Sequence, residues 1–306
     1  MNHPPYHLRL NKAVDRNLLI EVLSKLSNNY TLSNYTYYGL CGPFLEDCRL
    51  INTFYPNIKM VSIEQNEETY KRQKFHKFTK RLELHHASLN DFITTYSCTG
   101  REIFWLDYTD LKIERFLEFN KLLDRGCNGT IIKLTLRANR EQGVESFKEI
   151  FQSLLPSAVS DQYIKKSLPE LIQKMIRKSV EGILPASNGI VFQPISSTYY
   201  SDGTDMLNVT GIICELGNVD MVKGLFATWK FANTEWEAPH KIKLPVLSIK
   251  ERLHLEHLLP DENNTERNLA TKLGYMIGES EAENSEMMRQ YADFYKYYPY
   301  FTKVAI

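Results

Sequence analysis

Three polar features stand where short apolar runs stop. Gly39-Leu-Cys-Gly42 closes the run that starts at Tyr35, Glu64 follows Lys59-Met-Val-Ser-Ile, and Asp107-Tyr108 follow Ile103-Phe-Trp-Leu. A glycine at the end of a buried strand lets the backbone turn and lets a ligand approach without a side chain in the way. A helix begun just after it aims free N–H groups at that ligand. A carboxylate about 20 residues further on, at the end of the next strand, can accept from both hydroxyls of a ribose; Glu64 comes 22 residues after Gly42. Asp107 leaves a wholly apolar strand, where a carboxylate can orient or deprotonate a hydroxyl or hold a cation. Each feature also has an everyday alternative: an ordinary strand-to-helix turn, a solvated glutamate, and a helix cap at Asp107 or Asp110.

The elements that must position these residues are legible from periodicity. Residues 13–27 place Ala13, Leu18, Leu19, Val22, Leu23 and Leu26 on one helical face. Strands are expected near 35–40, 59–63, 82–86, 103–106 and 129–136, with helical stretches near 44–54, 67–79 and 111–123 between them. Short apolar strands alternating with helices predict βαβ units around a parallel sheet. Helices are then expected over 141–156 and 162–182, the second carrying Lys165, Lys166, Lys174, Arg177 and Lys178. The strand-like segments 189–196 and 206–214, joined through Asp202-Gly203, predict a hairpin that adds an antiparallel edge, with Asp202 as a turn residue. After Ala238-Pro239 comes an appendage, residues 241–306, with a capping box at Ser248 and an aromatic tail of Tyr291, Phe294, Tyr295, Tyr297, Tyr298, Tyr300 and Phe301. The division expected is a sheet domain over 1–240 and a helical, aromatic-rich part over 241–306, through which a homo-oligomer is one partner expectation.

Composition bounds the function classes. In 306 residues, 43% are hydrophobic and 24% charged, which excludes a disordered or low-complexity chain. Lys+Arg and Asp+Glu balance at 37 each, so no global basic field exists; nucleic-acid binding is disfavoured, although a local patch is compatible with the balance. Cys41, Cys48, Cys98, Cys127 and Cys214 form no C-x-x-C pair, and His85-His86 lacks a third ligand at metal spacing, so no metal site is expected. The absence of a signal-type N-terminus and of a long apolar run points to a cytoplasmic protein without a membrane span.

Taken as an ordered set, YYGLCGPF, VSIEQN, HHASLND, IFWLDY and GTIIKLTL resemble the motif series of class I S-adenosylmethionine-dependent methyltransferases. With the hairpin of the Y-S-D-G-T-x-M type they resemble more narrowly a prokaryotic O-methyltransferase group, over roughly residues 13–255. That resemblance implies an α/β Rossmann-like sheet of seven strands, the last antiparallel, and S-adenosylmethionine as cofactor. Carried over, Gly39, Cys41 and Gly42 would line its methionine and ribose, Glu64 would hold the ribose hydroxyls, and Ser88 and Asn90 would flank adenine. Asp107 and Tyr108 would face the transferred methyl, with a small-molecule or macromolecular acceptor bearing the oxygen. Two departures stand out: Tyr37 occupies the place of the acid that precedes the first glycine, and Asp107 is followed by Tyr-Thr rather than by prolines. The residues alone leave a second reading open, a non-catalytic Rossmann-like module binding a nucleotide-type ligand or a protein partner. A third reading, methylation of RNA guided by the basic stretch 162–182, is weaker, since such a run is usually a solvated face.

Overall fold

The structure, a computed structural model, describes residues 9–259 and 266–299. Helix α1 (Leu10–Leu26) precedes five parallel strands: β1 (Thr36–Gly39), β2 (Lys59–Glu64), β3 (Leu82–His86), β4 (Glu102–Asp107) and β5 (Ile131–Arg137). Helices α2 (Glu46–Phe54), α3 (Glu67–His76), α4 (Leu89–Thr95) and α5 (Ile113–Arg125) make the crossovers. Then follow α6 (Val144–Ile150), α7 (Asp161–Lys166), α8 (Leu168–Ile183), the hairpin β6 (Ile190–Ser201) and β7 (Asp205–Glu215), α9 (Val219–Phe226) and β8 (His240–Ile242). The chain ends in α10 (Ile249–Glu256), α11 (Glu266–Leu273) and α12 (Glu281–Phe294).

The sheet runs β3-β2-β1-β4-β5-β7-β6-β8, with β7 antiparallel to β5. The order reverses beside β1, which makes the carboxyl end of β1 the switch point where open α/β sheets bind ligands. The expected Rossmann-like architecture is the one observed, with two differences. A three-residue strand, β8, too short to leave a periodic signal, lies outside the hairpin and brings the count to eight. The basic stretch 162–182 is two helices broken at Ser167, where Pro169 lies in the first turn of α8.

Two compact units emerge from the contacts of the described residues: 18–199 with 203–240, and 9–17 with 200–202, 241–259 and 266–299. In the larger unit, Phe104, Leu106, Ile132, Leu134 and Val209 project from one face of the sheet. They pack with Phe116, Phe119, Leu122 and Leu123 of α5 and with Leu171, Ile172, Met175 and Ile176 of α8 in one continuous core. Burial on both sheet faces explains the unbroken apolar run of β4.

In the smaller unit the Ser248 capping box is present, with Glu251 returning the bond. Arg252 is buried; its guanidinium stacks 3.9 Å over the Tyr298 ring and donates to the carbonyls of Pro299 and Tyr298. Tyr291, Phe294 and Tyr298 are buried within the chain, and Tyr291 donates to the Arg252 carbonyl; Tyr300 and Phe301 lie outside the described residues. Asp202 does more than turn the hairpin. Its carboxylate accepts from the Asn11 and Lys12 backbone amides at 3.3 and 2.9 Å and from the Asn11 amide group at 2.8 Å, capping the start of α1 from far along the chain.

Candidate cofactor and active site

Strand register fixes the geometry of the site. Gly39 pairs with Ser62 on one side and Trp105 on the other, so Glu64 and Asp107 each lie two residues beyond a Gly39 partner. Side chains alternate with period two. Glu64 and Asp107 therefore emerge on the Gly39 face, on opposite flanks of β1, about 10 Å apart from the strand spacing. The structure thus brings together Gly39, Gly42, Glu64 and Asp107 at the switch point.

Within the turn the two glycines do different work. Gly42 has φ 60°, the left-handed conformation that turns the chain, and Leu45, buried at the start of α2, shares that region at φ 57°. Gly39 instead makes room: a Cβ there would lie 2.7 Å from the Tyr37 hydroxyl and 2.9 Å from Cε1 of the same ring. The Tyr37 ring thus lies across the Gly39 backbone, in space a ligand would otherwise approach. It is fully buried, and its hydroxyl has no hydrogen-bond partner among the described residues. Burial, with Cys41, Asp47, Cys48 and Asp107 nearby, holds the phenol far above its ordinary pKa, so it remains a proton donor.

The start of α2 differs from a phosphate-binding turn. Glu46 and Asp47 occupy its first turn, and Asp47 is 3% exposed. Those carboxylates compensate the positive helix end that would attract a phosphate. Cys41 and Cys48 meet beneath the turn, sulfur to sulfur at 2.7 Å, both buried as free thiols. Burial and the Cys41 sulfur push the Cys48 thiol pKa well up. Gln73 ties the turn to α3, donating to the Gly42 carbonyl and accepting from Ser62.

Glu64 is half-buried and accepts from the Asn66 amide at 2.7 Å. Burial raises its pKa, while the amides of Asn66 and Gln65 and the nearby His86 pull the other way. His86, its register partner, stacks on Tyr70 with ring centres 4.9 Å apart. Ser88 caps α4, exchanging hydrogen bonds with Asp91, and the Asn90 amide oxygen accepts from Lys121 of α5. These two stand near the β3 end, with the Ser88 hydroxyl and the Asn90 amide oxygen engaged.

Tyr108 is not brought to Asp107. Alternation sends it to the opposite face, where it is 5% exposed in the large core with the Arg115 guanidinium 4.8 Å over its ring. Asp110 and Glu118 hold that guanidinium. Two further side chains lie at the turn: Tyr37, noted in the sequence only as a departure from the family pattern, and Asp47, legible only as an acid at a helix start. Tyr37 is in phase with Gly39, and Asp47 falls in the first turn of a helix entered from the switch point; the sequence shows the phase and the helix start, but not that the ring lies over Gly39.

Among the described residues no three His, Cys, Asp or Glu side chains gather as a metal site, and no helix is long and apolar enough to cross a membrane. A cavity of about 730 Å³ is lined by Thr271, Gly274, Tyr275, Met276, Asn284 and Ser285, all in the smaller unit, and includes none of the site residues above.

Similar solved structures include Trm1 from Pyrococcus horikoshii bound to S-adenosyl-L-methionine. It is 11% identical, with a TM-score of 0.48, covering 66% of this chain and 55% of that one. The plantazolicin methyltransferase BamL, with S-adenosylhomocysteine, is 12% identical with a TM-score of 0.42, covering 65% and 85%. A probable spermidine synthase from Corynebacterium glutamicum is 9% identical with a TM-score of 0.43, covering 79% and 84%. No curated protein matches the chain. The family described as "Putative O-methyltransferase" matches residues 4–306, nearly the whole chain. The chain belongs to that family, and by that membership it is an S-adenosylmethionine-dependent methyltransferase.

Proposed function

We propose that the chain transfers the methyl group to an oxygen of its acceptor, with the donor seated across the carboxyl end of β1. The observation that carries this reading is the acidic dressing of the turn. Glu64 and Asp107 flank Gly39, and Glu46 and Asp47 start the helix where a phosphate site leaves bare amides. Such a site suits a cationic nucleoside without phosphate. S-adenosylmethionine is one, and when bound it supplies an electrophilic methyl on a sulfonium.

In this reading Glu64 accepts from the ribose hydroxyls, and the adenine lies by Ser88 and Asn90, near the stacked His86–Tyr70 pair. The unpartnered Tyr37 hydroxyl donates to the amino-acid end of the donor. Asp107 orients the acceptor hydroxyl and takes its proton, the step an oxygen nucleophile requires. The remainder is alignment and exclusion of water. Tyr108, on the far face, takes no part.

Calorimetric titration with S-adenosylhomocysteine tests the donor site. At 100 times its dissociation constant the ligand stabilises the fold by about 2.7 kcal/mol, and Glu64→Ala abolishes most of that gain. No stabilisation of the wild type by either nucleoside would overturn the proposed seat. A methyl-labelled donor offered with phenol, hydroxy-acid and amine acceptors tests the atom; labelling of amines alone would refute the oxygen assignment.

A further inference from the structure

Residues 70–81, Tyr-Lys-Arg-Gln-Lys-Phe-His-Lys-Phe-Thr-Lys-Arg, contain six Lys or Arg and no Asp or Glu, in a chain whose charges otherwise cancel. On α3 only Gln73 is buried; Lys71, Arg72, Lys74, Phe75, Lys77, Lys80 and Arg81 are exposed. Lys71 is neutralised by Glu67 and Glu68 at 3.1 and 2.8 Å. Among the described residues, none of the other five cations has a carboxylate in ion-pair range. Two of them lie over rings: Arg72 is 4.6 Å from the centre of Phe44 and Lys74 is 4.8 Å from that of Tyr70. Arg49 of α2 adds a sixth cation with no carboxylate in range among the described residues, 4.5 Å over Phe78 and donating to the Phe44 and His76 carbonyls, as Arg81 donates to that of Asn57. Phe75 is 86% exposed.

This combination specifies its ligand. Clustered cations without carboxylates attract a polyanion and release its counterions. A protruding phenyl ring and cation-capped rings offer flat faces on which unstacked bases can lie. A lipid surface would need a continuous apolar face, and α3 presents a single exposed ring among charges. A duplex hides its base faces, so the ring favours single strands. The basic stretch 162–182 differs in carrying acids among its cations: Arg177 pairs with Glu181, and Glu170 accepts from the Tyr163 hydroxyl, to which Lys174 also donates.

We propose that α3 and the turn after it form a docking surface for single-stranded nucleic acid. Arg72, Lys74, Lys77, Lys80 and Arg81 meet phosphates, and Phe75 stacks on a base. Through Phe44 and Gln73 the surface is continuous with the Gly42 turn, so a strand held there lies beside the proposed donor seat. The proposal does not depend on methyl transfer and is tested without cofactor.

The probe is a fluorescein-labelled single-stranded oligouridine of about 20 nucleotides, followed by anisotropy. Binding is expected at about 50 mM salt, with log affinity falling against log salt by about 0.7 per phosphate contacted. The triple variant R72Q/K74Q/K77Q should lose tenfold or more in affinity and lower the salt slope by about 2. Phe75→Ala should weaken binding by about fivefold to a hundredfold with the slope unchanged. K174Q/R177Q/K178Q should bind as the wild type does. Among the described residues all these side chains apart from Arg177 lack ion pairs, and unchanged circular dichroism and melting confirm that each variant is folded. The proposal is overturned if the oligouridine does not bind, if the α3 triple variant binds equally well, or if duplex RNA or phosphatidylserine vesicles bind in its place.

Discussion

Replacing Tyr37 by phenylalanine should move two measurements in opposite directions. In the free protein the Tyr37 hydroxyl is buried and has no hydrogen-bond partner among the described residues. A polar group left so costs about 1–3 kcal/mol of desolvation. Phenylalanine keeps the ring across Gly39 and removes that cost, so the ligand-free variant should be more stable by about 1–2 kcal/mol. Each kcal/mol raises Tm by about 2–4 °C for a unit of this size. If the hydroxyl donates to the amino-acid end of the donor, the same change removes a hydrogen bond to a charged group, worth about 1.5–3 kcal/mol. S-adenosylhomocysteine should then bind about tenfold to a hundredfold more weakly. Differential scanning fluorimetry of the free protein and calorimetric titration of the nucleoside read the two effects separately. A variant that melts lower, or that binds the nucleoside as tightly as the wild type, would refute the reasoning.

Asp107→Asn should keep the shape of the β4 end and remove its base, lowering kcat by about a hundredfold or more while the donor dissociation constant stays within about threefold; a matching loss in donor binding would assign Asp107 to the cofactor instead. Burial raises the pKa of Glu64 above its ordinary 4.5, and only the ionised form accepts from both ribose hydroxyls. Nucleoside affinity, measured across a pH series, should thus be full above the raised value and fall as pH drops through it, sooner than for a solvated glutamate. The folded chain binds that proton more tightly than the unfolded one, so the same protonation does not destabilise the fold, and the affinity loss should precede acid unfolding. Asp202→Ala should destabilise the start of α1 by about 1–2 kcal/mol, read as a lower urea midpoint; an unchanged midpoint would show that the three hydrogen bonds contribute nothing net.

The sheet was legible because buried strands write themselves as apolar runs and the polar residue that ends each run marks the ligand edge. The placement of Glu64 and Asp107 at the carboxyl ends of β2 and β4 was read that way. Tyr108 went astray through adjacency: in a strand the next residue faces the other side, and the apolar phase of Phe104 and Leu106 already assigned it to the core. Asp202 shows the opposite limit. Its local signal is a turn, while its carboxylate serves amides some 190 residues away, a pairing no local window contains. The cation cluster on α3 was masked by averaging, since a net charge of zero over the chain hides a segment without acids. The pairing of Tyr37 with Gly39 needed coordinates, because spacing alone does not say that a ring folds back along its own strand.

That overlap makes positions 37 and 39 a single unit of sequence. A large side chain at the first obliges the absence of one at the second, because a methyl there would meet the phenol at 2.7 Å. Mutational scans that vary one position at a time will score Gly39 as intolerant whatever its part in catalysis. Libraries meant to reshape this corner of the protein must randomise both codons jointly.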